Sequence, residues 1–336
     1  MNYIALAILL FVTSCRTADQ SLVLSQNKNQ PILTETKLEW TNQNHYAPTV
    51  LYDESSKKFM MWYLDGQTNP DDIHLRVSDS LDFSDPKSDV SVLDKLKIAK
   101  MTNYPKDHFG HVGDPSVIKI DDTFIMFFTT CLKKECHDPQ YAQIWSVTSK
   151  DGITWEKPVG PLSKKNNIAQ PSVIKYVDND NSKKIGLYFE NRGPGMQQIW
   201  YVDIGSDRKA ISEPKSVFKY TQPGVAIAGP EVMRLGDKYH LFFSSIAPNL
   251  KAIRIHHTES KDPINFGTKD FDQTILISPT EGVAPCGVET PGAIALDQKS
   301  FYLYFRQVDE LFLDGSCLRY QKTKSSIQRY KYEISQ

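Results

Sequence analysis

Residues 114–130, DPSVIKIDDTFIMFFTT, followed at 144–158 by IWSVTSKDGITWEKP, decide the reading of this chain. A proline opens a short run rich in β-branched residues, Asp121-Asp122 makes a polar turn, and a second run is dense in Phe, Met and Ile. Runs of this kind, bounded by turn residues, form strands. The third run ends in Ser149-Lys150-Asp151-Gly152, where Asp and Gly suit a tight turn, and Trp155 then opens a fourth strand.

The same grammar recurs at Ala47-Pro48-Thr49-Val50, Gln170-Pro171-Ser172-Val173, Gly229-Pro230-Glu231-Val232 and Thr290-Pro291-Gly292-Ala293. The five prolines are 67, 56, 59 and 61 residues apart. Aromatic second runs follow each one: KFMMWYLD at 58–65, KIGLYFEN at 184–191, KYHLFFSS at 238–245 and SFYLYFRQ at 300–307. The turn of repeat two, Ser149 to Trp155, is echoed by Ser260 to Phe266 in repeat four and more loosely by Asp79 to Phe83 in repeat one; repeat three has lost it around Asp203 to Ser212. A period of about sixty residues with four strands per unit marks a propeller, because one small sheet cannot bury both its faces and must stack on its neighbours. The fold expected is all-β: a five-bladed β-propeller of four antiparallel strands per blade. It fills residues 38–336 as a single domain, with QRYKYEI at 328–334 closing the last blade.

Composition narrows the function. Across 336 residues, 39 Lys and Arg balance 40 Asp and Glu, and no basic run interleaved with aromatics is present, so nucleic acid is not an expected partner. No phosphate-binding glycine loop, dinucleotide fingerprint or Ser-His-Asp set appears. The apolar run Ile4–Val12 is far short of the roughly 20 residues that span a bilayer, and fits the core of a signal peptide. Val12-Thr13-Ser14-Cys15 resembles a bacterial lipobox, although no Lys or Arg precedes the apolar run. Residues 1–15 are therefore expected to be a lipoprotein-type signal ending at the lipidated Cys15, and 16–37 a tether. That would place the protein outside the cytoplasm and anchored to a membrane by lipid. An ordinary cleaved signal would leave it secreted. The remaining Cys131, Cys136, Cys286 and Cys317 suggest two disulfides in such a compartment. Three pairings are open, and proximity favours Cys131–Cys136 and Cys286–Cys317. The cysteine spacings match no zinc pattern, so no metal or cofactor is expected, and the chain reads as a monomer.

The pieces DPSV and SKDGITW together resemble a blade of the five-bladed glycoside hydrolases, the group holding families 43, 32, 62, 117 and 130, and the likeness covers essentially the whole mature chain. Six-bladed sialidases use a related turn, S-x-D-x-G-x-T-W, but the turn here is one residue shorter and the units number five. The resemblance implies that the innermost strand of each blade starts at the rim of a central funnel. Residues just before each repeat's proline, and those following the second strand, would then face a carbohydrate. It further implies two carboxyl groups across the funnel. Asp114 matches an acidic residue of the family's catalytic set. Glu289, two residues before Pro291, has the offset of the family's general acid, though in blade five rather than three; Glu190 is a third candidate. His45, Tyr46, Asp65, His111, Gln170, Arg192, Glu231 and Arg306 would bind substrate, the arginines by hydrogen bonds to sugar oxygens. Two departures stand out: Ala47 occupies the place of the Asp that family 43 carries in blade one, and Gln170 occupies the position where the general acid is sought. A cation sits in the channel of some relatives, and nothing in this sequence calls for one. Two functions follow: a hydrolase of oligo- or polysaccharide, or a non-catalytic propeller binding glycan or protein at the cell surface.

Overall fold

Proline at the head of each repeat forces its strand out of regular pairing, and this shapes the molecule. The structure, a computed structural model, describes residues 23–24, 32–34, 45–66, 72–83, 89–105, 108–131, 142–163, 167–178, 182–191, 198–247, 252–278, 287–308 and 325–334. Five sheets form the expected five blades, antiparallel except where Gly267–Lys269 pairs in parallel with Lys215–Tyr220, the outer strand of blade three. Their innermost strands are His45–Asp53, His111–Ile120, Ile168–Val177, Ala226–Leu235 and Gly287–Ala295. In every blade the register between first and second strands slips at the proline: between Tyr46 and Thr49, Gly113 and Ser116, Ala169 and Ser172, Ala228 and Glu231, and Glu289 and Gly292. Proline lacks the N–H that the ladder needs, so a bulge at that point costs the sheet least.

The apolar residues lie between blades rather than within them. Among the described residues there is one buried cluster for each of the five seams. Trp62 and Leu75 of blade one meet Met126 and Trp145 of blade two, for example, and Phe242 of blade four meets Phe301 and Phe305 of blade five. The seam between blades five and one has the smallest cluster, built around Met61, Tyr63, Phe83 and Tyr304.

The turn after the third strand works as a staple between blades. Trp155 is buried against Trp62 of the preceding blade with ring centroids 6.4 Å apart, and Trp62 Nε1 donates to Gly152 O at 3.0 Å. Blade four repeats this with Phe266 on Tyr188, whose hydroxyl donates to Pro263 O at 2.6 Å. Blade one repeats it with Phe83 on Tyr304, whose hydroxyl donates to Leu81 O at 2.8 Å. Trp62 is thus fully buried core.

Two expectations about the ends of the domain are corrected. Residues 328–334 lie in the third strand of blade five, Ser325–Glu333, and just beyond it; its fourth strand is Ile32–Thr34, paired antiparallel to it with Leu33 opposite Tyr332. Val23–Leu24 adds an outer strand to blade four by pairing with Ile277 and Ser278. The stretch read as a tether therefore supplies strands. An unpaired outer edge leaves a row of backbone donors and acceptors open, and the upstream segment covers two of them. Cys15, Cys136, Cys286 and Cys317 lie outside the described residues, and Cys131 ends a strand in the buried interior. No helix among the described residues is long and apolar enough to cross a membrane.

Closure of the ring depends on Gly292. A Cβ at this position would stand 1.9 Å from Pro48 O across the seam between blades five and one, where backbone meets backbone. Gly292→Ala is expected to destabilise the protein by about 1–3 kcal/mol as an overpacked contact. The midpoint of urea unfolding measures it, and an unchanged midpoint counts against this account of closure.

Candidate functional site

The bulges bring five Xaa-Pro pairs to one axial opening: Ala47-Pro48, Asp114-Pro115, Gln170-Pro171, Gly229-Pro230 and Thr290-Pro291, joined by Glu231. The opening is narrow within, with room for about one water, and it is open to solvent outside. Each residue before the proline is left-handed, with φ of 51° at Ala47, 50° at Asp114, 50° at Gln170, 56° at Gly229 and 49° at Thr290. This conformation costs a non-glycine residue roughly 1–2 kcal/mol, yet four of the five positions carry one. Hydrogen bonds from neighbouring blades hold it. Gln170 N donates to Thr129 Oγ1 at 2.8 Å, Thr290 N to Ser244 Oγ at 2.7 Å, and Ala47 N to Thr290 Oγ1 at 3.1 Å.

One step past the proline, a second repeated bond locks the ring. Ser116 Oγ accepts from Val173 N at 2.9 Å, Ser172 Oγ from Val232 N at 2.9 Å, and Glu231 Oε1 from Ala293 N at 3.2 Å. Each is the residue after the proline of one blade receiving the N–H two after the proline of the next. Glu231 also accepts from Ser172 Oγ at 3.1 Å through its other oxygen, so its carboxyl bridges blades three, four and five. Burial raises its pKa, the bonds from Ala293 N–H and the Ser172 hydroxyl pull the other way, and the balance lies at about 7.

The carboxyls expected from the sequence divide. Asp114 lines the opening, with His111 Nε2 4.0 Å from its Oδ2. Gln170 lines it too, and its Oε1 has no hydrogen-bond partner among the described residues. Glu289 does not line it. That carboxylate is paired with Arg306 at 2.5 Å, the two side chains 8% and 2% exposed, and the guanidinium lies over the Tyr46 ring at 4.8 Å. Glu190 is buried at the end of its strand, opposite Ala169. Arg192 lies outside the described residues.

His45 and Asp65 belong to a polar network in blade one that the sequence did not reveal. Its centre is Asp89, which accepts from Tyr63 Oη at 2.5 Å and from Arg76 Nε at 2.8 Å, with His74 Nδ1 at 3.1 Å. His74 Nε2 faces Asp72 at 3.4 Å and Asp65 at 3.7 Å. Burial opposes charge on both partners, but the hydrogen bonds win: Asp89 is held at about 2 and His74 lifted to about 9. His45, 3.7 Å from Asp65, is driven down to about 4 by burial and is neutral at physiological pH. Neither His45 nor Asp65 is part of the axial opening.

Structure comparison puts this geometry in context. A thermostable family-43 glycoside hydrolase superposes with a TM-score of 0.60 at 15% identity, over 88% of this chain and 95% of that one. The fold is that of family-43 glycoside hydrolases. An exo-1,5-α-L-arabinanase from a bovine ruminal metagenomic library matches at 0.56 and 15% identity, over 87% and 94% of the two chains. A family-43 enzyme from Xanthomonas citri complexed with xylose matches at 0.58 and 12%, over 90% of each chain. At these identities the likeness is one of fold. No protein-family model and no curated protein matches the sequence. At the opening, reading the sequence missed the bridging role of Glu231. Its signal was present in the alignment of Ser116, Ser172 and Glu231 one step past their prolines.

That role gives a pH signature. A folded-state pKa of about 7 lies above the ordinary 4.5 of an unfolded glutamate, so the folded protein holds the proton more tightly. The stability Glu231 contributes is complete below about pH 4.5 and is lost as the pH rises through 7. Discounted for solvent reaching it from the opening, the loss is about 1–3 kcal/mol. Glu231→Gln keeps an acceptor for Ala293 N–H and should remove this loss, making the variant more stable than wild type at pH 8 but not at pH 4. Chemical unfolding at the two pH values checks this; a pH-independent difference counts against it.

Proposed function

We propose that this protein binds carbohydrate at its axial opening, with Asp114 and Gln170 as the polar groups that meet the sugar. The observation that carries the reading is the ion pair of Glu289 with Arg306. Two-carboxyl hydrolysis needs a second acid or base facing the funnel with a proton free to move. Glu289 is instead buried and held by an arginine, away from the opening. Asp114 then acts as a hydrogen-bond acceptor for hydroxyls, with the amide of Gln170 beside it in the lining. Support for a sugar as the ligand comes from structural neighbours: the Xanthomonas citri enzyme holds xylose, and a metagenomic β-xylosidase/α-arabinofuranosidase holds xylotriose. The ring of prolines supplies apolar walls, and mixed walls of this type suit the two faces of a sugar.

A second reading has its own observation. Glu231 shares the opening with Asp114, and its pKa of about 7 is what a general acid requires near neutrality. Hydrolysis in this chain would run through Asp114 and Glu231. Export with lipid on Cys15, and disulfides among Cys131, Cys136, Cys286 and Cys317, complete the proposal on the sequence pattern alone.

Calorimetric titration with xylo-, arabino- and galacturono-oligosaccharides tests the reading, alongside assays on aryl-glycosides. Wild type should bind at least one series, Asp114→Asn should weaken that binding about tenfold or more, and no hydrolysis should appear. Binding that is indifferent to Asp114→Asn overturns the site. Turnover abolished by both Asp114→Asn and Glu231→Gln establishes the enzyme instead.

A further inference from the structure

Between blades one and two the chain does not cross directly. It leaves the outer strand of blade one, Val90–Leu93, forms helix Lys95–Thr102, and returns to the innermost strand of blade two at His111. Register fixes which rim this crossing occupies. Leu93 pairs with Ile73, Ile73 with Leu64, and Leu64 with Tyr46, so the crossing runs along the rim where the innermost strands begin. The helix is capped at its start by Asp94, whose carboxylate accepts from Lys97 N, and stopped by the left-handed Asn103. Tyr104 N then donates to Ala99 O at 3.0 Å, which fixes where Tyr104 emerges.

Tyr104 is 44% exposed, and a single exposed apolar side chain would ordinarily decide nothing. Two features set it apart. The first is place. Of the large exposed apolar side chains among the described residues, Tyr52, Ile153, Val177, Ile211 and Leu296 lie at or beside the turns of the opposite rim, Val90 is on an outer strand and Leu96 is an aliphatic side chain on the helix, whereas Tyr104 is an aromatic ring on the funnel side. The second is that its ring is already fixed. His108 stacks on it with centroids 4.1 Å apart and planes within 1°, while Phe109 and Trp145 meet it edge-on at 5.8 and 6.4 Å. Phe109 and Trp145 are themselves buried and 5.8 Å apart. Burying one face of an aromatic against a rigid support removes the entropy that ligand stacking would otherwise cost.

We propose that Tyr104, backed by His108, is an outer sugar-stacking platform: one ring of an oligosaccharide too long for the axial opening rests on it. This deepens, and rests on, the reading of the opening as a carbohydrate site. His108 is three residues from His111, at most about 11 Å along an extended chain, and His111 adjoins Asp114, so a single glycan spans both places. The ligand class is accordingly a linear oligo- or polysaccharide of several units, gripped by polar groups at one end and by an aromatic face further out.

The test uses the full chain and the same oligosaccharide series, extended from one to six units. Tyr104→Ala should lower affinity for the longer members about tenfold and leave the shortest ligand's affinity unchanged, while Tyr104→Phe should behave as wild type. Asp114→Asn should weaken all lengths alike. An unaltered urea midpoint for Tyr104→Ala shows that the effect is local. Wild-type affinity of Tyr104→Ala at every length overturns the platform alone. No binding by wild type at any length overturns the axial site together with it. A uniform loss across all lengths in Tyr104→Ala also overturns the platform, because the ring would then be acting on the opening itself.

Discussion

Five strand edges converge on one axis, and each must abandon its sheet's ladder where it arrives. Closing a ring of small sheets brings backbone against backbone near the centre, and buried backbone groups must find partners. Here they find them across the blade boundaries. The residue before each proline turns left-handed, the residue after it reaches sideways, and Ser116, Ser172 and Glu231 each receive the neighbouring blade's N–H. Serine-length arms span the gap at two of these junctions and Glu231 spans a third. Where blade five meets blade one no arm is needed: Gly292 lets Pro48 approach so closely that a side chain would not fit.

The outer staples obey a complementary rule. Trp62, Tyr188 and Tyr304 occupy the same place in their blades, opposite the residue that follows the proline. Each donates a hydrogen bond to the turn of the next blade. In blades two and four the equivalent residues are Phe127 and Phe242, which have nothing to donate. The blades that follow those two, three and five, are the ones that lack the Asp turn. Donor and turn are present together or absent together. An indole N–H or a phenol buried without its acceptor would be costly, whereas Phe fills the same space with no such need.

Much of this was legible in the sequence because it is periodic. The prolines, the aromatic second strands and the Asp turns repeat at nearly constant spacing, and spacing is what a single sequence displays best. The location of Asp114, Gln170 and Glu231 followed from that period. What resisted reading was contact between parts of the chain that no period links. Ile32–Thr34 is short and polar in its surroundings, and only the open edge of Ser325–Glu333 explains why it becomes a strand. The partnership of Glu289 with Arg306 is set by register across one hairpin, Glu289 opposite Arg306, and pattern alone gives no view of which rim carboxylate an arginine will take. The network of Asp89 with His74, Arg76 and Tyr63 was invisible for the same reason.

These facts bear on why carbohydrate chemistry on this fold can be present or lost while the fold persists. The axial positions serve closure first. A carboxyl that bridges blades, as Glu231 does with both oxygens, is committed to structure, and catalysis there would have to share its proton with the hydrogen bonds that hold the ring. Asp114 is different. Its backbone is bent into the opening by the bulge, and its side chain lines that opening at 5% exposure. Ala47 and Gly229 show the same position surviving with no functional group at all. Closure therefore constrains the backbone at five places and, apart from Thr290, whose hydroxyl accepts from Ala47 N, asks little of the side chains there, which separates what the propeller must be from what it can bind.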